Sequence, residues 1–188
     1  MRALLSFLPF FAFGFALQSF SVVGACLIAA GLGLVMTLGE HLLRGRSIKI
    51  LEAGSVLLFG GLALVTGALH PGWSAAWIWV VVYAGLLLIA VVSLVIGRPF
   101  TRQYAREGAP PDLWNNPLFL AANMRITAVW TTAFAVMLLA QLAGLYAPGI
   151  PAWADTAASI GAALIALGFT SWYPAHLRRM HAAPTAAA

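Results

Sequence analysis

The side chains of this sequence that could bind a ligand or do chemistry are few, and five of them fall near one end of its apolar stretches. Only 8% of the 188 residues are charged, whereas 62% are hydrophobic. Ionisable and amide groups at membrane depth are costly, so those that occur there are the first candidates for a functional site. The candidate binding residues are Glu40, His41, Glu52, Asn123 and Arg125.

Three interpretations of these five residues remain open, and they differ in what Arg125 does. Arg125 could pair with Glu40 or Glu52 and hold three membrane helices together, which is the interpretation that we favour. The group could instead form the floor of a cavity that opens to the cytoplasm and binds an anionic headgroup or solute. Arg125 could also extend its guanidinium to the interface without a partner.

No pattern of catalytic or metal-ligating residues stands out in the sequence. There is no nucleophile with a base at hydrogen-bonding spacing, no phosphate-binding loop and no metal-ligand spacing. Cys26 is the only cysteine, which excludes a disulfide or a thiolate metal site within one chain. The four histidines do not fall at one depth, as a pair of haem ligands would. We therefore expect a protein without enzymatic activity, cofactor or metal.

The composition requires a lipid environment, because soluble domains carry about 25% charged residues. At about 20 apolar residues per crossing, the length is used up by about six helices and short connections. The sequence thus predicts an all-α integral membrane protein, with a single transmembrane domain at 1–175 whose helices form three hairpins. The expected spans are residues 4–18, 21–43, 48–68, 75–96, 120–145 and 153–173.

The basic residues predict that both chain ends lie in the cytoplasm. All ten Lys and Arg residues fall in every other gap between the apolar stretches or in the first turns of the span that follows it, whereas the gaps around Gln18, Pro71 and Pro148 contain none. Short loops that are rich in Lys and Arg stay on the cytoplasmic side of a membrane. We expect a cytoplasmic tail at 176–188 that is disordered.

Residues 98–119 form the one long polar connection, and we expect them to lie on the inner headgroup layer. Pro110 and Pro111 exclude one continuous helix there. Anionic lipid headgroups are the expected partners on the cytoplasmic face. Nucleic acid is not expected, because the cations lie next to the membrane rather than on one soluble face. The loop residues that we expect to lie in the headgroup layer are Arg98, Arg102, Tyr104, Arg106 and Trp114.

Several short motifs follow the order and spacing of one family from about residue 4 to about residue 146. They are Phe7-Leu8-Pro9, Phe59-Gly60-Gly61-Leu62, Tyr83-Ala84, Gly97-Arg98-Pro99-Phe100 and Trp130. On these residues the chain resembles a distant member of the intracellular septation protein A family, the inner-membrane spanning proteins of the cell envelope. It differs at the entry to the fourth span, where Ser74-Ala75-Ala76 replaces a Lys-Pro-Thr-like sequence.

The resemblance implies a multi-pass protein of the bacterial inner membrane that acts in envelope maintenance or division without catalysis. Its partners would be other inner-membrane proteins and lipid. The Gly and Ala faces of several spans permit homo-oligomers as well. Two other functions remain open: a small solute or ion transporter or channel with a polar cavity facing the cytoplasm, and an accessory subunit of a larger membrane complex.

Overall fold

The structure is a computed structural model that describes residues 6–44, 49–69, 72–147, 149–151 and 153–182. Its described part contains helices and turns and no strand. A π-helical turn, Val65–Leu69, extends the third helix, and a 3₁₀ turn, Pro111–Leu113, precedes the sixth. The helices are α1 (Leu8–Ala16), α2 (Val22–Arg44), α3 (Ile50–Leu64), α4 (Ala75–Val95), α5 (Thr101–Arg106), α6 (Pro117–Tyr146) and α7 (Ala154–Ala182).

Five of these helices, α2, α3 with its π turn, α4, α6 and α7, are long and apolar enough to cross a membrane. This finding supports the all-helical membrane class that the composition predicts. The limits of α2, α3 with its π turn, α4 and α6 lie within three residues of the expected spans. The described α1 has nine residues, which is about 14 Å at the usual helical rise and less than half of a hydrocarbon core.

Several residues used in the topology argument lie outside the described part of the chain. The residues concerned are Arg2, Arg46, Pro71 and Pro148, together with the side chain of Arg44.

The chain forms two compact units, and residues 1–89 make up the first. Its core is aromatic: Phe13 of α1 packs against Phe59 of α3 and Trp79 of α4, each at a ring-centroid distance of 5.0 Å. The turn between α1 and α2 ends at Ser21, whose Oγ accepts a hydrogen bond from the Gly24 amide at 3.2 Å. A hydroxyl at this position satisfies a free amide of the first helical turn. The helix break that we expect near residues 18–21 falls in this turn.

Gly33 is the point of closest approach in the first unit. A Cβ added to it would lie 3.0 Å from Ser55 Oγ, 3.1 Å from Val56 Cγ2 and 3.6 Å from Pro9 Cγ. Three helices, α1, α2 and α3, thus meet where α2 has no side chain. Such small-residue contacts are what packs helices in lipid, where no hydrophobic force acts between them.

The second unit, residues 90–188, contains the end of α4 together with α5, α6 and α7. The helices α6 and α7 run antiparallel, and Trp130 Nε1 donates to Thr170 Oγ1 at 3.0 Å between them. Asn116 caps α6, since its side chain accepts from the Leu118 amide at 2.8 Å. Pro117 follows as the first helical residue, a position in which the missing N–H costs nothing.

The last helix continues past the end that the sequence predicts. We expect span six to stop at 173 and the tail to be disordered from 176, yet α7 runs through Pro174 to Ala182. The expectation is wrong for residues 176–182. A proline inside a helix removes one hydrogen bond, but residues 175–182 are mostly good helix formers that continue the helix after it. Residues 183–188 lie outside the described part.

Candidate functional site

Two of the predicted site residues, Glu40 and Glu52, share one lysine in the first unit. Lys49 Nζ lies 2.6 Å from Glu40 Oε2 and 3.2 Å from Glu52 Oε1. Ser6 Oγ donates a hydrogen bond to Glu52 Oε1 at 2.8 Å. The Lys49 and Glu52 side chains are only 5% and 4% exposed, and that of Glu40 is 24% exposed. We call these four residues the lysine cluster.

Local sequence explains how the lysine cluster forms. Lys49 directly precedes α3, and Glu52 follows three residues later in its first turn, so the two side chains face each other. A carboxylate is also favoured near the amino end of a helix. Sequence reasoning missed Lys49 as a site residue, although its spacing from Glu52 was a usable signal. In the structure Lys49 forms the ion pairs with Glu40 and Glu52 that we expect Arg125 to form.

Arg125 has its partner in the second unit. Its Nη1 donates to the Tyr173 hydroxyl, and its guanidinium lies 5.9 Å from the centre of that ring. Tyr173 is buried and stacks on Phe169 at 4.9 Å. The structure thus gives Arg125 and the carboxylates separate partners within their own units, and His41 is exposed. A single site built from all five residues stays a prediction.

Asn123 belongs to a buried hydrogen-bonded junction between α5 and α6. Thr101 Oγ1 donates to the Asn123 carbonyl at 3.0 Å and lies 2.8 Å from Thr127 Oγ1. Because the Thr101 proton is used on the carbonyl, Thr127 is the donor of the second bond. The Asn123 Nδ2 donates to the Phe119 carbonyl at 2.8 Å, and its Oδ1 is buried without a described donor. The junction holds the start of the polar connection against a membrane helix.

Replacing Thr101 with valine is expected to release α5 from α6. The change removes the partner of the buried Thr127 hydroxyl and the side-chain donor to the Asn123 carbonyl, which costs about 1–3 kcal/mol. Amide hydrogen exchange in residues 98–116 should accelerate by about tenfold or more. Thr132→Val is the matched control, because that hydroxyl is exposed and bonds only within its own helix. Equal exchange rates in the two variants would show that the junction does not hold the connection.

The polar connection begins with a defined helix end. Gly97 has φ +67°, and the amides of Gly97 and Arg98 donate to the carbonyls of Leu94 and Ser93 at 3.0 and 2.9 Å. These two bonds and the left-handed glycine form a Schellman motif. Pro99 then prevents the helix from continuing, and Phe100 is 2% exposed. The connection therefore turns sharply and is anchored from its first residues.

Arg102, Arg106 and Trp114 form an ordered group within this connection, which we call the arginine–tryptophan cluster. Arg102 Nη2 donates to the Trp114 carbonyl at 2.7 Å. The Arg106 guanidinium lies 5.2 Å from the centre of the Trp114 ring, and Trp114 Nε1 donates to the Ala109 carbonyl at 3.0 Å. Both arginines come from successive turns of α5, so they share one face. Of the other predicted loop residues, Arg98 is exposed and Tyr104 is half-buried.

The charge of the arginines in this connection is the next feature of the cluster. Within the part of the chain that the structure describes, Arg98, Arg102 and Arg106 form no ion pair. Burial, followed by the charges of Arg106 and Arg98, holds the pKa of Arg102 below its usual value. A guanidinium stays charged despite such a shift. The connection therefore presents three guanidinium groups that an anion can bind, beside the carboxylates of Glu107 and Asp112.

An open apolar groove of about 410 Å³ lies between α6 and α7 in the second unit. Thr132 is the polar residue of its lining, which otherwise consists of apolar side chains and Gly161. A lining of this kind can pack against an apolar partner but offers few polar groups that could orient a ligand. Among the described residues, no three His, Cys, Asp or Glu side chains are grouped so that they could hold a metal ion.

Comparisons of the chain with family models, with curated proteins and with solved structures found no match.

Proposed function

We propose that this protein is a non-catalytic, multi-pass protein of the bacterial inner membrane that acts in envelope maintenance or division. It would cross the membrane about six times, with both ends in the cytoplasm. Support comes from the five long apolar helices, the distribution of basic residues and the resemblance to the septation protein A family. It would act by binding lipid and other membrane proteins.

The arginine–tryptophan cluster is the observation that carries this proposal. It is a basic and aromatic surface that is hydrogen-bonded through Thr101 on one side and through Trp114 on the other. Side chains that are already hydrogen-bonded in place favour binding, because little side-chain order has to be gained when a partner arrives. The carboxylates of Glu40 and Glu52, in contrast, already have Lys49 as a partner, which weighs against a transport site at that point.

A deletion strain tests the proposal. We expect defects in division or in envelope integrity, restored by the wild-type gene and by Arg178→Ala/Arg179→Ala, but not by Arg102→Ala/Arg106→Ala. Both double variants remove two cations on the predicted cytoplasmic side, so the comparison isolates the ordered cluster. Normal growth and envelope integrity in the deletion strain would argue against the proposed role.

Purification at native abundance separates this proposal from that of an accessory subunit. We expect membrane partners to co-purify with the wild-type chain and to be lost from the Arg102→Ala/Arg106→Ala variant. Recovery of one fixed complex by both proteins would favour an accessory subunit that packs through its apolar surface instead.

A further inference from the structure

We propose that the arginine–tryptophan cluster binds one anionic phospholipid molecule at a defined site. The phosphate would lie at the guanidinium groups of Arg102 and Arg106, and an acyl chain would run beside Leu113 and Leu118. The inference rests on the proposed function only for the placement of this connection on the cytoplasmic face. It adds a ligand class, a stoichiometry and a geometry.

The hydrogen-bonding state of the two arginines points to a missing acceptor. Arg102 uses Nη2 on the Trp114 carbonyl, and its Nε is buried without an acceptor. The Arg106 guanidinium lies over the Trp114 ring, its side chain makes no hydrogen bond in the described part of the chain, and its Nε is likewise buried without an acceptor. Guanidinium groups bind phosphate oxygens in pairs of parallel hydrogen bonds. A phosphate bound at the two guanidinium groups would supply acceptors for such donors.

The charges favour an anion at the same place. Arg102 and Arg106 are four residues apart on α5, where like charges repel each other, and Arg98 adds a third cation nearby. Trp114 fixes both guanidinium groups, one through its carbonyl and one through its ring. The two guanidinium groups are therefore held in place before a ligand arrives. A bound phosphate would reduce the electrostatic repulsion between Arg102 and Arg106.

The surroundings identify the anion as a lipid rather than a free phosphate. Val95 and Ile96, 81% and 56% exposed, directly precede the basic residues, and Leu118 is 56% exposed just after Trp114. Apolar side chains that are exposed on a membrane helix face acyl chains. The cluster thus lies where lipid-facing residues give way to charged ones, which is the level of the headgroup phosphate.

Native mass spectrometry of the purified full chain in detergent tests the site, with phosphatidylglycerol and phosphatidylcholine as the two probes. We expect one phosphatidylglycerol molecule to be retained preferentially. Arg102→Ala/Arg106→Ala should weaken its binding by about tenfold or more, and Arg102→Lys/Arg106→Lys by an intermediate amount, because lysine keeps the charge without the paired donors. The control Arg178→Ala/Arg179→Ala should bind like the wild type, and unfolding temperatures verify that each variant is folded.

Three results would overturn the inference. Equal weakening in the Arg178→Ala/Arg179→Ala control would mean that the lipid is attracted by the overall positive charge and not by a defined site. Equal retention of phosphatidylcholine would remove the recognition of an anion. Displacement of the lipid by millimolar inorganic phosphate would identify the ligand as a free anion. The two proposals can fail separately. If the lipid site passes these tests but the deletion strain grows normally, the proposed function is contradicted and the lipid site is not.

Discussion

Replacement of Lys49 by methionine is expected to destabilise the protein by about 3–5 kcal/mol, since it removes the cation that pairs with Glu40 and Glu52. Among the described residues, Glu52 would keep the Ser6 hydroxyl as a side-chain partner, at 3% residue exposure. A buried carboxylate without a counter-charge is far costlier than a broken surface ion pair. Unfolding of the purified protein by heat or by a denaturing detergent measures the loss.

A neutral triple variant separates charge from packing at this position. Lys49→Met combined with Glu40→Gln and Glu52→Gln removes all three charges, and we expect it to recover most of the lost stability. Lys49→Met alone with wild-type stability would mean that the lysine cluster does not hold α2 and α3 together. A triple variant as unstable as the single one would mean that the lysine acts by its shape.

Gly33→Leu is the substitution with the second largest expected effect, a loss of about 1–3 kcal/mol. Its Cβ would approach Ser55 and Val56 at 3.0–3.1 Å, and the longer side chain would have to separate α2 from α1 and α3. Overpacking of this kind forces side chains out of their preferred rotamers and shifts the backbone. The same unfolding measurement in detergent applies.

Gly31→Leu is the matched control for this prediction, because it lies two residues earlier on the same helix. A Cβ at Gly31 meets nothing within 4 Å, so the variant should retain wild-type stability within about 0.5 kcal/mol. Equal losses in both variants would trace the effect to the added bulk or to lipid contact, since leucine has the higher helix propensity of the two residues. In that case the close approach of the helices at Gly33 would not be the cause of the lost stability.

The helices were predictable because their cause is local. A long apolar stretch in lipid satisfies its backbone only as a helix, so α2, α3, α4 and α6 end where the apolar stretches end. The extension of α7 was not predictable in this way, because the proline rule favours a stop at Pro174. What decides there is the helix propensity of the residues that follow.

The contacts of the site were less predictable, because they depend on how helices align. Depth alone placed Glu40, Glu52 and Arg125 together, and it could not show that Lys49 and Tyr173 lie beside them. The Thr101–Thr127 hydrogen bond likewise joins residues of different helices. The arginine–tryptophan cluster was predicted as a set of interfacial residues, whereas its hydrogen bonds and stacking geometry required the structure.

Accessibility of single cysteines to a membrane-impermeant maleimide tests most directly whether the basic residues mark the cytoplasmic side. In a Cys26→Ala background, Gly108→Cys reports on the polar connection and Gly72→Cys on the turn between α3 and α4, and both positions are exposed. We expect labelling of Gly72→Cys in intact cells and of Gly108→Cys only after permeabilisation. Labelling of Gly108→Cys in intact cells would place the arginine–tryptophan cluster outside the cytoplasm and contradict the proposed orientation.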